Sequence, residues 1–453
     1  MTILEAFSLF SQVLTKPTFE NLGVLLRGAI LCSGPRTVTE CLRSAQPWAG
    51  KHFSAYENVL RRGKMNGLRM ARIMFELALR LIPEGREIEL VVDETLVRRY
   101  GPYVSGVSMH RDSVRSTRTL NRWTPGNLWV VLAFAIRLPF CESVVALPVM
   151  SLNYVSPKLG KRRSSGSRMH RTPSELAMLM ILIVTRWAGN RRIRLIGDAW
   201  YATHEMADLL NEKSRRCSKG SLVSRFQWEA RLHAEPGEYS GFGRPRIIGG
   251  RLENPRRMSQ RDDAEWDLRE VDWYGASRKE LMLLSGEGLW YRCSQGATWV
   301  RWVVMRDPGG KRNDEVFFTT DRSLTPSGIV ECYTRRWSIE VTFEEARRHL
   351  GIETLRNRTR CAVSRSVPML FALFSLIVVW FALNRPEEKS PTNMAPWYPK
   401  RHVTFSDMLT YAGREILENC VFQQDGPFTC EFLLAPFPLN LIYSLLAVKH
   451  KAA

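Results

Sequence analysis

The chain has 453 residues, 45% of them hydrophobic, so it can bury a sizeable core and is expected to fold as two or three domains. Lysine and arginine number 65 against 45 acidic residues, a net charge of +20. An enzyme acting on small metabolites has no need of that surplus; a polyanionic partner does, nucleic acid first and a membrane surface second.

Residues 1–86 read as a helical region. "TVTE" (Thr37 to Glu40) and "SAYE" (Ser54 to Glu57) have the spacing of capping boxes, each opening a short helix, with Pro47 and Gly50 in the turn between them. Arg69, Arg72, Glu76 and Arg80 share one face of a further helix whose other face carries Leu68, Phe75, Leu79 and Ile82. A helix pair with the basic end "NVLRRGK" suggests a helix-turn-helix-like DNA reader presenting Asn58, Arg61 and Arg62. Plain scaffolding is the competing reading.

After "PEGRE" the period changes. "IELVVDET" is a β-branched run ending in acids, hence a buried strand, and "NLWVVLAFAI" and "SVVALPVMSLNYV" are further strands. "TPSELAMLMILIVTRWAG" opens with a capping box and Pro173 at the first helical position, predicting a helix of four turns. "RIRLIGDAWY" returns to strand and ends in Asp198. Residues 87–216 are therefore the first part of a mixed α/β core. From 217 to 331 helical signals almost vanish, and alternating segments such as "WVRWVVMRD" predict a β-rich insertion. Residues 332–385 close the core, and 386–453 form a linker and a small helical tail. "VPMLFALFSLIVVWFAL" (Val367 to Leu383) is short of a membrane span and reads as a buried core helix.

The closing segment, "YTRRWSIEVTFEEARRHLG", is expected as one helix. At about 100° per residue, Arg336 lies roughly 60° from Tyr333, Glu340 about 20° and Arg347 about 40°, so four polar side chains form one stripe. Glu344 falls on it too, also at about 20°. A solvated charged face is the bland reading. Asp93 and Asp198 each end a hydrophobic strand, and with Glu340 they supply three carboxylates. Hard divalent cations such as Mg²⁺ prefer such oxygens, and a pair of ions can activate a nucleophile on one side of a phosphodiester and stabilise the leaving oxygen on the other. Any one of these acids alone is more simply a cap, a turn residue or a solvated group.

The pattern Y-x2-R-x3-E-x6-R, met by Tyr333, Arg336, Glu340 and Arg347, resembles the Y-R-E-K signature of bacterial insertion-sequence transposases of the Asp-Asp-Glu (DDE) type, with Arg where Lys is usual. "VVDET" resembles the strand of that family's first aspartate and "LIGDAWYA" that of its second; gaps of 105 and 142 positions separate the three acids in the expected order. "GRPR" (Gly243 to Arg246) and "PWYPK" are similar to the same group. The resemblance implies an RNase H-like catalytic core interrupted by a β-rich insertion and preceded by a helical DNA-binding domain. It also implies Asp93, Asp198 and Glu340 as catalytic ligands of two Mg²⁺ ions, with Mn²⁺ able to substitute, and Tyr333, Arg336 and Arg347 on phosphates beside the cleavage site. Its partners would be double-stranded DNA (terminal inverted repeats and target) and a second copy of the chain in a synaptic complex, with no membrane. A transposase-derived DNA-binding protein that no longer transposes is the alternative.

Glu94, next to Asp93, is expected on the opposite sheet face. "SPKLGKRRSSGSRMHR" (Ser156 to Arg171) holds six basic residues and no acid, and predicts a phosphate-tracking loop around Lys161, Arg162 and Arg163. Trp290, Trp299 and Trp302 could be core or could stack on a base. The nine cysteines show no CxxC spacing and read as reduced thiols of a cytoplasmic, nucleoid-associated protein, and no zinc, serine-hydrolase or ATPase pattern occurs.

Overall fold

The run Ile88–Val92 places Ile88, Leu90, Val91 and Val92 at zero exposure, the mark of a strand covered on both faces. In the computed structural model, residues 1–112, 114–117, 119–157, 170–211, 220–239, 241, 243–274, 277–384, 391–392, 397 and 399–422 are described. The strand is β1 (Ile88–Arg98), and it pairs antiparallel with β3 (Trp123–Arg137) and parallel with β5 (Ile193–Gly197). Beyond β3 lie β4 (Val144–Tyr154) and the short β2 (Ser108–Arg111); beyond β5 lies β6 (Gly220–Arg225), again parallel. The order β4-β3-β1-β5-β6, with three antiparallel strands followed by two parallel ones, is a mixed α/β arrangement consistent with an RNase H-like nuclease fold.

Between 217 and 331 the described strands continue this same sheet, and the range also holds the helix Pro255–Ser259 and most of the helix Pro326–Thr334. β11 (Glu315–Thr319) pairs with β6, β10 (Gly296–Arg306) with β11 and β9 (Ser277–Arg292) with β10, while β7 (Leu232–His233) and β8 (Asp267–Trp273) flank β9. Trp290 and Trp302 are buried in the packing of this extension, Trp290 among His204, Phe226 and Phe318. Of the three tryptophans weighed for base stacking, those two are core. Trp299 is half-buried beneath Arg301 and Arg322.

The helices, in chain order, are α1 (Ile3–Ser8), α2 (Lys16–Leu31), α3 (Val38–Ser44), α4 (Phe53–Arg61), α5 (Gly67–Leu79), α6 (Pro173–Ala188), α7 (His204–Leu210), α8 (Pro255–Ser259), α9 (Pro326–Thr334), α10 (Trp337–Leu350), α11 (Arg360–Leu383) and α12 (Phe405–Phe422). α6 starts at Thr172 with the full reciprocal capping box. The two boxes expected earlier differ. Thr37 accepts from the Glu40 amide, but the Glu40 carboxylate pairs with Arg43, and α4 is capped by His52, so Ser54 lies inside the helix. α1, α4 and α5 pack on α11, whose buried face includes Phe371, Phe374 and Phe381. α2 and α3 approach so closely that a Cβ on Gly28 would stand 2.0 Å from the Cys41 carbonyl oxygen. Leu68, expected on the apolar face of α5, is exposed.

Among the described residues α11 is the one helix long and apolar enough to cross a membrane. Its most apolar stretch is 72% buried within the protein, against β4, α5 and α10.

Candidate active site

Parallel pairing of β1 with β5 sets Val92 opposite Gly197, so Asp93 and Asp198 are the next residues along two neighbouring strands. Asp198 follows β5 directly and caps a tight turn in which the Tyr201 amide donates to the Asp198 carbonyl at 2.8 Å. From β6 the buried Ser224 hydroxyl donates to the carbonyls of Gly197 and Asp198 at 2.9 and 3.0 Å, tying down the strand end.

The third acid arrives on a helix that is not the single one expected. α9 ends at Thr334 and α10 begins at Trp337. Between them the Arg335, Arg336, Ser338 and Ile339 amides bond three residues back, to Cys332, Tyr333, Arg335 and Arg336, a tightened 3₁₀ winding. Tyr333 therefore sits in the last turn of one helix and Glu340 in the first turn of the next. Gly351, at φ 56°, ends α10 in the left-handed conformation.

α10 lies over the side of β1 that carries Glu89, Asp93 and Thr95. Arg335 Nη1 reaches both Glu89 oxygens at 2.6 and 2.7 Å. Arg336 Nη1 donates to Asp93 Oδ2 at 2.5 Å, and its Nη2 stands 2.7 Å from Glu340 Oε1. The Tyr333 hydroxyl donates to Asp198 Oδ1 at 3.2 Å, and the Arg336 guanidinium lies over the Tyr333 ring. Tyr333 and Arg336 thus gather Asp93, Asp198 and Glu340 into one cluster.

Burial pushes the Asp93 carboxyl up to about 7, with Glu340 and Asp198 adding to the rise against the pull of Arg336 and the Glu94 amide. Burial disfavours the Arg336 charge, but Asp93, Tyr333 and Glu340 outweigh it and hold the guanidinium above its ordinary value. Glu94 alternates to the other side of β1, towards Tyr201; its carboxyl is raised by burial and by Asp198.

No three acidic, histidine or cysteine groups among the described residues are arranged to hold a metal ion. The donor set nevertheless fits a hard divalent cation: three carboxylates from three elements, neutralised by an internal cation, Arg336, that stands where an external one would be attracted.

The remaining expected residues fall in different places. Arg347 is half-buried: its Nη2 donates to Thr95 and its Nε lies 3.4 Å from Glu353. Glu344, angularly equivalent to Glu340 by simple counting, faces solvent and pairs with Arg348 at 2.7 Å. Arg61 and Arg62 are exposed at the end of α4, Arg61 being 3.9 Å from Glu57, and Asn58 is half-buried. Gly243 to Arg246 is exposed. Lys161, Arg162 and Arg163 lie outside the described residues. Two exposed rings escaped the sequence reading: Trp200 and Trp337, 75% and 49% exposed, follow Asp198 by two residues and Arg336 by one in the chain. Their signal was adjacency to a candidate residue, which ranks below pattern in a sequence.

A family model described as "DDE superfamily endonuclease" matches residues 9–280, more than half of the chain. The chain belongs to the DDE endonuclease superfamily. The matched span includes Asp93 and Asp198 and ends before Glu340. Among solved structures, the fold is similar to that of piggyBac transposase, determined by cryo-EM as a synaptic complex with hairpin DNA. The similarity has a TM-score of 0.43 at 10% identity, over 98% of this chain and 85% of that one. No curated protein matches the sequence.

Proposed function

We propose that this member of the superfamily is a transposase that cleaves DNA at transposon ends and joins the freed 3′ end to target DNA. The observation carrying this reading is the convergence of Asp93, Asp198 and Glu340 on Tyr333 and Arg336. Asp93, Asp198 and Glu340 would hold two Mg²⁺ or Mn²⁺ ions, which when bound supply Lewis-acid stabilisation of the reacting oxygens. Arg336 exchanges carboxylate partners for a DNA phosphate, since a guanidinium binds either in the same forked geometry. Tyr333 fixes the Asp198 side chain and shelters one face of Arg336. Arg347, braced by Thr95 and Glu353, contributes positive charge further along the same side of β1.

On this reading Asn58, Arg61 and Arg62 read bases of the terminal repeat, Lys161, Arg162 and Arg163 follow its backbone, and two copies of the chain pair two ends. The Tyr333, Arg336, Glu340 and Arg347 pattern supports the further reading of a bacterial insertion-sequence element. The test is incubation of the purified protein with a labelled fragment carrying the inverted repeat that flanks its coding region, plus Mg²⁺. Nicks at the repeat boundary followed by joined products are expected. Binding of the repeat without any cleavage in Mg²⁺ or Mn²⁺ would replace this reading with a DNA-binding protein that has lost the reaction.

A further inference from the structure

Beyond Asp93, β1 runs into a segment that neither the metal cluster nor the expected DNA contacts involve. From Arg98 to Trp123 the sequence holds six arginines and one acid, Asp112. Asp112 is buried and bound by Arg98 at 2.8 and 3.2 Å, with Arg115 at 3.9 Å, so the segment keeps a large positive excess. Its middle is a hairpin of β2 and the start of β3, with Arg111 opposite Trp123. Gly126 is paired with both Arg98 and Ser108, so the hairpin projects past the end of β1. The base is anchored where Arg99 donates to the Asn357 carbonyl and the Ser105 amide to the Arg358 carbonyl, bringing exposed Arg356 and Arg358 alongside.

Three rings stand out of this basic surface: Tyr100 is 65%, Tyr103 77% and Trp123 61% exposed. Arg111, Arg115 and Arg122 are exposed among them. Soluble surfaces seldom spend several large rings on solvent within one short segment. Aromatics interleaved with arginines are the chemistry that binds unpaired nucleic acid, the rings stacking on bases and the cations following phosphates. Charge complementarity selects a polyanion, and the rings select one whose bases are free.

We propose that this hairpin is a binding surface for single-stranded DNA leading away from the acidic cluster, an inference that rests on the reading of the protein as one that acts on DNA. Trp123 lies eight residues along β3 from Val131, the partner of Asp93, which is about 27 Å at strand spacing.

The experiment measures binding of the full-length protein to fluorescent oligothymidine and to a blunt duplex of equal length across a salt series. Replacing Tyr100, Tyr103 and Trp123 together by alanine is expected to weaken oligothymidine binding about tenfold or more and to leave duplex binding within about twofold. Phenylalanine at all three positions restores the affinity because each keeps its π-face. Changing Arg111, Arg115 and Arg122 to Gln weakens oligothymidine binding and flattens its salt slope by about 2, at about 0.7 per phosphate. Should the alanine triple variant melt early, Tyr103→Ala alone carries the same comparison with about a fivefold or greater loss. Unchanged oligothymidine binding, an equal loss on both probes, or tighter binding of oligouridine than of oligothymidine would overturn the proposal. Magnesium-dependent cleavage that survives in such a case would leave the proposed function standing and remove only this surface.

Discussion

At the scale of single residues, Arg336 decides how the cluster is read. One guanidinium bridges Asp93 and Glu340, and those two acids together with Tyr333 sustain its charge despite burial. A unit charge about 4 Å away contributes on the order of 4 kcal/mol near a protein surface, so an internal cation competes strongly with an external one. Removing it as Arg336→Ala should tighten Mn²⁺ binding to the DNA-free protein on the order of tenfold, read by the loss of the free-ion electron paramagnetic resonance signal. Under the proposed function the same change should weaken cleavage even at saturating metal, because the proposed contact between Arg336 and a DNA phosphate would be lost. Mn²⁺ affinity equal to that of the wild type would mean that the guanidinium is not the competitor.

The residue scale also shows where spacing misled. Counting at a constant angle makes Glu340 and Glu344 equivalent, yet one meets Arg336 and the other Arg348 in solvent. Glu344 lies one turn further along the same α-helix, past the reach of Arg336, a displacement along the axis that an angular count does not contain. Tyr333, Arg336 and Glu340 were legible because the motif names them without needing the angle.

At the scale of elements, the cluster depends on how α10 is fixed to β1. Glu89 receives Arg335 with both oxygens and also lies 3.3 Å from Arg194, so it clamps the start of the helix one step before Arg336 meets Asp93. Glu89→Ala would leave two partly buried guanidiniums without this partner, costing on the order of 3 kcal/mol. Urea unfolding should register that loss, and an unfolding midpoint like that of the wild type would argue against a clamp.

A second junction ties α12 to the residues before it. Asp407 has no exposed side-chain surface and accepts from the Thr392 amide and hydroxyl, the Thr404 amide and hydroxyl, and Lys400 Nζ at 2.7 to 3.3 Å. Burial raises its carboxyl, but the donors from Thr404, Thr392 and Lys400 outweigh burial and hold it below its ordinary value. A lowered carboxylate stabilises the fold at pH values above the unfolded value of about 4, and that contribution disappears as the pH falls through the folded value. Asp407→Asn should therefore cost on the order of 3 kcal/mol at neutral pH, with the deficit shrinking below about pH 4. Unfolding curves of both proteins across that range test the sign. A deficit that grows on acidification would contradict it.

At the scale of the whole molecule, the core was legible because its strands are buried on both faces and so appear as β-branched runs, as in Ile88–Val92 and Ile193–Ile196. The capping box at Thr172 marked α6 for the same kind of local reason. What did not show was which edges meet. The segment 217–331 alternates like any exposed sheet, and nothing in that pattern tells that β6 lies parallel to β5 and carries β11, β10 and β9 onward in one sheet. The N-terminal helices were legible as helices, but their packing on α11 is a long-range match of apolar faces that periodicity does not encode. Exposure was least legible: Trp290 and Trp200 look alike in sequence, yet one is 4% and the other 75% exposed.

On the proposed function, Asp93, Asp198 and Glu340 form one catalytic unit whose helix register is set by Tyr333 and Arg336. Its most direct test is cleavage of a labelled terminal-repeat fragment in Mg²⁺ or Mn²⁺ by four variants that still bind the fragment: Asp93→Ala, Asp198→Ala, Glu340→Ala and Glu344→Ala. The first three should lose nicking and joining by at least about a thousandfold, since residues acting as a unit fail together, and Glu344→Ala should retain most of the activity. Normal cutting by Glu340→Ala, with Glu344→Ala inactive, would remove Glu340 from the catalytic unit.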